Sequence, residues 1–315
     1  MIDRKQISIL CGLLVLLALL SPEGYAQQQA MFTQYMFNGL AINPAYAGSH
    51  EAISITGLAR EQWTGLPGNP STQTLSVHAP LRFSQSSWGL LLSHDEQDIS
   101  QQYGVFTSYA YRIPIGRGQL AFGLQGGFTQ ARISLTELHI VTPDHQSDPA
   151  FGQDLKTRLL PNIGSGLYYH TDRYYIGFSV PQLLDQPLEN DNQSPSSKAQ
   201  LVRHYFLTGG YVFDLNNDLK LKPNFLVKSA TGAPIEADFN TNLLIRETLW
   251  LGIGYRSFDA LNALVELQIS PSLRLGYAYD YTISGLRHVQ SGSHEFMLNY
   301  TIRLSKESIL SPRYF

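Results

Sequence analysis

The sequence predicts an all-β fold: a transmembrane antiparallel up-and-down β-barrel of about 14 strands with an N-terminal plug-like segment. Three observations carry this expectation. Apolar residues recur at every second position in segments of roughly ten residues bounded by Gly, Pro, Asn, Asp or Ser, which is the period of a strand with two unlike faces. Charged residues make up only 15% of the chain beside 18 tyrosines and 26 glycines, and because a soluble domain carries nearer 25% charge, much of this surface is not built for water. Tight turns alternate with mostly long connections, as in a closed barrel whose two rims face different compartments, whereas a soluble sandwich has no reason to segregate its loops in that way.

The chain opens with Arg4 and Lys5, then runs apolar from Ile7 to Leu20 and reaches small residues at Gly24-Tyr25-Ala26. This reads as a secretory signal peptide over residues 1–26, because the apolar run of 14 residues falls short of the ~18 that a spanning helix needs. The one cysteine, Cys11, lies inside that run, so the mature chain is expected to have no disulfide, thiolate metal site or cysteine nucleophile. Cleavage there removes two charges of each sign and leaves the net charge at −3, which argues against a nucleic-acid partner.

After a segment at 27–49 without strand alternation, strands are expected to begin near Ala52, Thr72, Trp88, Tyr103, Gln119, Pro161, Arg173, His204, Lys220, Ile235, Thr248, Leu261, Ser272 and Gly292. The barrel is expected to span 50–304, followed by a tail at 305–315. The last strand is the clearest: Phe296, Leu298, Tyr300, Ile302 and Leu304 alternate with Glu295, Asn299, Thr301 and Arg303. Upstream, Leu273, Leu275, Tyr277, Tyr279 and Tyr281 oppose Arg274, Gly276, Ala278 and Asp280 in the same manner. The tight turns are Gly116-Arg117-Gly118, Asp172-Arg173, Asn216-Asn217-Asp218, Arg246-Glu247 and Ser270-Pro271.

With the apolar rows facing lipid, the polar rows put Glu236, Asp238, Arg256, Glu266, Arg274, Asp280, Glu295 and Arg303 in the lumen, together with Lys222 and Lys228, because each would be costly in hydrocarbon. Tyr168, Tyr169, Tyr174, Tyr175, Tyr279 and Tyr281, with Trp88 and Trp250, are candidates for interfacial aromatic girdles. Gln34, Tyr35, Met36, Phe37, Asn38, Asn43, Pro44, Ala45, Tyr46 and Gly48 belong to a stretch too apolar to float in the periplasm, so it is expected to pack into the periplasmic mouth of the barrel. Trp63, Gly65 and Pro67 lie in a stiff turn at the outer rim, as a partner contact or as a brace.

These residues also carry a resemblance. Gln34-Tyr35-Met36-Phe37-Asn38, Ala41-Ile42-Asn43-Pro44-Ala45-Tyr46-Ala47-Gly48, Arg60-Glu61-Gln62-Trp63-Thr64-Gly65, His204-Tyr205-Phe206-Leu207-Thr208-Gly209-Gly210-Tyr211 and Gly276-Tyr277-Ala278-Tyr279-Asp280-Tyr281 resemble the PorP/SprF family of outer-membrane proteins associated with the type IX secretion system of Bacteroidota. The likeness extends over essentially the whole mature chain. It implies a non-enzymatic outer-membrane barrel, embedded in lipid, that works with cargo adhesins or with periplasmic and outer-membrane machinery subunits. Unlike common outer-membrane barrels, the last strand does not finish on an aromatic residue.

The sequence contains no phosphate loop, paired cysteines, metalloprotease helix or nucleophile elbow, and no cofactor is expected. His139 with Asp144-His145-Gln146-Ser147-Asp148, and His94-Asp95, are the nearest approach to a reactive cluster, but spacing within one loop is weak evidence and solvated turn residues account for them better. The alternative class is an outer-membrane pore or a FadL-like transporter of hydrophobic solutes, which also combines about fourteen strands with an N-terminal plug.

Overall fold

The computed structural model describes residues 31–81, 85–134, 154–156, 158–187 and 200–303. The signal peptide, the tail, Leu304 and the loop residues His139 and 144–148 fall outside these. Fourteen long antiparallel strands form one closed sheet: β1 (Ile53–Glu61), β2 (Ser71–Pro80), β3 (Ser86–Gln97), β4 (Ser100–Ile115), β5 (Gly118–Ile133), β6 (Leu160–His170), β7 (Tyr174–Val180), β8 (His204–Tyr211), β9 (Leu219–Ala230), β10 (Glu236–Ile245), β11 (Leu249–Arg256), β12 (Ala260–Ser270), β13 (Leu273–Thr282) and β14 (Ser293–Ile302). Each strand pairs with its neighbours in chain order. The sheet closes where β14 meets β1, from Ile53 opposite Ile302 to Glu61 opposite His294. Closure leaves no free edge, which a backbone in hydrocarbon requires.

Every strand starts within three residues of its predicted position, the largest difference being β4, which begins at Ser100 rather than Tyr103. Its polar start, Ser100-Gln101-Gln102, pairs with Gln97, Glu96 and Asp95 in a hairpin that continues past the apolar belt, so hydropathy alone gave it no signal. One rim carries the connections 81–85, 116–117, 171–173, 212–218, 246–248 and 271–272, and the other carries 62–70, 98–99, 134–159, 181–203, 231–235, 257–259 and 283–292. The alternation is therefore looser than the sequence reading, since the links at 98–99 and 257–259 on the second rim are also tight. Gly116 at φ 62° serves the β4–β5 turn, and Arg246 and Glu247 at φ 50° and 54° make the β10–β11 turn a left-handed pair whose twist matches the strands.

The outward rows are apolar and exposed. They include Tyr103, Val105, Tyr109 and Tyr111 on β4, Ile253 on β11, and Phe296, Leu298 and Tyr300 on β14. A belt of this kind is stable only against lipid, and it makes the chain a membrane-spanning barrel of the outer-membrane type. The girdle expectation needs a correction, because Tyr168, Tyr175 and Trp250 are buried and point inward. Adjacent tyrosines on a strand must face opposite ways, so only one of each pair, Tyr169 or Tyr174, is available to the belt.

Candidate functional site

Residues 31–49 are buried without interruption and form three 3₁₀ turns, Tyr35–Phe37, Gly39–Ala41 and Pro44–Tyr46. Pro44 forces Asn43 into an extended conformation that ends the second turn, and the Asn43 side chain accepts from the Ala45 N–H to cap the third. The partners of this segment are the inward-facing side chains of the barrel, and they run from one rim to the other. The sequence reading expects a periplasmic or lumen segment, and its first residues lie at the rim of the long connections, where the Glu295 carboxylate accepts from the Thr33 and Gln34 backbone N–H groups.

At the rim of the long connections, Arg60 from β1 lies 2.8 Å from Asp280 and 3.1 Å from Glu295, bridging the closing strand to β13 and β14. Arg256 reaches Asp280 at 2.9 Å and Asp238 at 3.0 Å. All five groups are at most 3% exposed. Three carboxylates against two guanidiniums would leave one negative charge uncompensated in a dry site. The interior segment supplies what is missing: the Thr33 and Gln34 N–H groups each donate to Glu295 at 2.8 Å, and the Thr33 hydroxyl donates to Asp280 at 2.7 Å. The Thr33 oxygen also accepts from Arg60 and Arg256, both at 3.2 Å.

Midway down, the Tyr35 hydroxyl donates to Asn224 at 2.7 Å and accepts from Asn240 at 3.3 Å, and Asn38 accepts from Ser76 at 2.7 Å. Tyr35→Phe strands both asparagines in a buried site, and we expect it to lower stability by about 1–3 kcal/mol in a urea titration of the barrel in lipid vesicles. Phe37 packs edge-on to Trp250, and the Lys222 ammonium stands 5.1 Å from the Phe37 ring and 5.6 Å from Trp250. Met36 lies in the same apolar cluster. Nearby, Arg274 pairs with the buried Glu266 at 3.1 Å.

At the rim of the short turns, the Asn43 amide donates to the Leu167 carbonyl at 2.9 Å, and the Ser179 hydroxyl donates to the Ile42 carbonyl at 2.6 Å. The Pro44–Ala45 peptide lies on Gly123 and the Asn43 side chain on the paired Gly166, where any Cβ would run into them. Tyr46 is surrounded by His50, His78 and Tyr168 at ring separations of 5.4–5.7 Å, and the Gly48 N–H donates to His78 at 3.1 Å. Arg112 closes this end through the Ala47 carbonyl and Ser87.

The segment residues singled out in the sequence thus come together with the lumen charges, with three exceptions. Glu236 is half-buried and pairs with Lys228 at 3.3 Å, apart from the segment. Arg303 is exposed one residue beyond β14 and does not join the lumen charges, because the strand has already ended at Ile302. Trp63, Gly65 and Pro67 sit apart at the outer rim. Trp63 is held by its N–H to Ser293 at 3.1 Å, and its neighbour Thr64 bonds to Gly292, so this turn is tied to the β13–β14 connection while Gly65 and Pro67 are exposed. His94 and Asp95 occupy opposite faces of β3: His94 stacks on the outward Tyr103, and Asp95 accepts from Thr72. Sequence reasoning missed Arg60 and Arg112 as lumen groups. Parity would have found both, since Ile53 and Ile55 outward put Arg60 inward, and Tyr109 and Tyr111 outward put Arg112 inward.

A family model described as "Type IX secretion system membrane protein PorP/SprF" matches residues 24–300. None of the curated proteins compared with the chain matches it. Among solved structures, the CymD monoaromatic hydrocarbon channel aligns at 12% identity and TM-score 0.49, covering 84% of this chain and 92% of that one. A Pseudomonas aeruginosa FadL homologue aligns at 11% identity and TM-score 0.45, covering 81% and 89%. The Acinetobacter baumannii outer membrane protein Omp33 aligns at 10% identity and TM-score 0.41, covering 80% and 98%.

Proposed function

Because the chain belongs to the PorP/SprF family of type IX secretion system membrane proteins, we propose that it is a non-enzymatic outer-membrane assembly factor, plugged by its own N-terminal segment, that assists the secretion or surface anchoring of adhesin-type cargo. Export by the signal peptide at 1–26 is part of this reading, and so is contact with cargo or with periplasmic and outer-membrane machinery subunits.

The observation that carries it is the two-ended attachment of residues 31–49. A segment hydrogen-bonded to the charged groups of the outer rim, and wedged against glycines and aromatics at the inner one, lies along the path that a solute would take. Such a lumen suits a rigid platform whose rims and connections engage other proteins, and it speaks against the pore or FadL-like transporter. The turn at Trp63, Gly65 and Pro67 is the candidate contact at the outer rim, where a half-buried aromatic on a braced loop is a common anchor for a partner.

The test is native purification of a loop-tagged protein from outer membranes, with cross-linking and mass spectrometry of what is retained. Recovery of the C-terminal region of a large adhesin identifies a cargo partner, and recovery of periplasmic motor or lipoprotein subunits identifies a machinery role. A protein that emerges alone and makes liposomes permeable to solutes overturns the proposal in favour of the transporter.

A further inference from the structure

The seam where β14 meets β1 is clasped from the lumen side at two levels. Toward the rim of the short turns, the Asn299 amide of β14 donates to the Ser54 and Thr56 hydroxyls of β1 at 2.9 and 2.7 Å, so the two strands supply both halves of that clasp. Toward the rim of the long connections, Arg60 of β1 stands opposite Glu295 of β14 in the strand register and pairs with it at 3.1 Å. This second clasp is not made by the two strands alone. Asp280 of β13 takes the other side of Arg60, and Thr33 of the interior segment accepts from Arg60 at 3.2 Å while its N–H donates to Glu295 at 2.8 Å.

From this arrangement we infer that Thr33 and Gln34 form a clip on the closing seam, so that the segment running through the lumen also holds the first and last strands of the wall together. Position is the first support. The N–H groups of both residues and the Thr33 hydroxyl reach β1, β11, β13 and β14, all within 3.2 Å. Electrostatics is the second. Without these donors, Asp238, Asp280 and Glu295 face only Arg60 and Arg256 in a site at most 3% exposed, where an incompletely answered carboxylate is costly and its repulsion falls on the strands that close the barrel.

The third support is the contrast with the other end of the segment. Asn43 and Ile42 bond to Leu167 on β6 and Ser179 on β7, and the Pro44–Ala45 peptide rests on Gly123 of β5, on the far side of the closed sheet from the seam. The two anchors therefore act on different parts of the wall. The outer cradle also exists only once β14 has reached β1, because Thr33 and Glu295 lie 262 positions apart, so docking of the clip belongs to the last step of closure. This inference concerns the barrel wall and goes beyond the assembly-factor reading, which does not depend on it.

The test is site-resolved hydrogen exchange on the purified full chain refolded in lipid vesicles. Thr33→Pro removes the N–H and the hydroxyl together, Thr33→Val removes the hydroxyl alone, and Asn43→Ala releases the inner end. In Thr33→Pro we expect the seam amides, from Gly57 to Arg60 and from Glu295 to Leu298, to exchange about tenfold faster than in the parent, with a smaller rise in Thr33→Val and none in Asn43→Ala. Gly57 and Leu298 are directly opposite across the seam, hence about 4.5–5.5 Å apart between Cα atoms, so Gly57→Cys with Leu298→Cys provides a disulfide staple. Stapling should return the seam amides of Thr33→Pro to the rate of the stapled parent. Unchanged seam exchange in Thr33→Pro, equal acceleration in Asn43→Ala, acceleration spread evenly over β4 and β5, or acceleration that persists in the stapled barrel overturns the clip. Should Thr33→Pro not fold, Thr33→Val is judged by the same criteria.

Discussion

Arg60→Met is expected to be the most destabilising single substitution in the lumen, lowering the unfolding free energy by about 3–5 kcal/mol. The guanidinium sits between Asp280 and Glu295, all three no more than 2% exposed, and its removal leaves two carboxylates close together with only Arg256 and the Thr33 and Gln34 donors to answer them. The loss also falls on the closing seam, because Arg60 belongs to the first strand and its partners to the last two. A urea titration in lipid vesicles followed by tryptophan fluorescence measures it. Combining Arg60→Met with Asp280→Asn and Glu295→Gln is expected to restore most of the loss, since the deficit arises from uncompensated charge and not from lost packing. A single variant as stable as the parent would show that the seam does not depend on this network.

Gly123→Val is expected to have the largest effect on permeability. Gly123 faces inward from β5, paired with Gly166 on β6, and a Cβ on it would occupy the place of the Pro44–Ala45 peptide. Overpacking here costs roughly 1–3 kcal/mol, comparable to the few hydrogen bonds that hold this end of the segment, so the strain is relieved by displacing residues 43–48 and not by opening the sheet. Planar-bilayer recordings should show open current steps in the variant against a closed baseline in the parent. Chymotrypsin should then cut at Tyr46, which is buried in the parent. If the variant stays closed and protease-resistant, the segment is not what seals the lumen.

The two expectations draw on different levels of the chain's information. Strand existence, order, parity and the lipid-facing rows were legible because a two-residue period leaves no freedom: once Phe296 and Leu298 face outward, Glu295 and Asn299 must face inward. The same rule holds Arg60 and Arg112, although each stands close to a strand end, where polar residues are easily read as loop. The aromatic girdles were over-read for a related reason, since strand-end position does not fix the face, and Tyr168, Tyr175 and Trp250 turned inward to pack around the segment.

What the sequence determined by itself is thus a closed membrane barrel with a charged interior and an apolar N-terminal segment, because alternation, composition and turn chemistry are local properties written along the chain. Only the tertiary structure decided which lumen charges pair and how deep the segment runs. These depend on residues more than two hundred positions apart, such as Thr33 and Glu295, being brought level by the register of fourteen strands. That register is a sum over every hairpin in the sheet, and no local pattern encodes it.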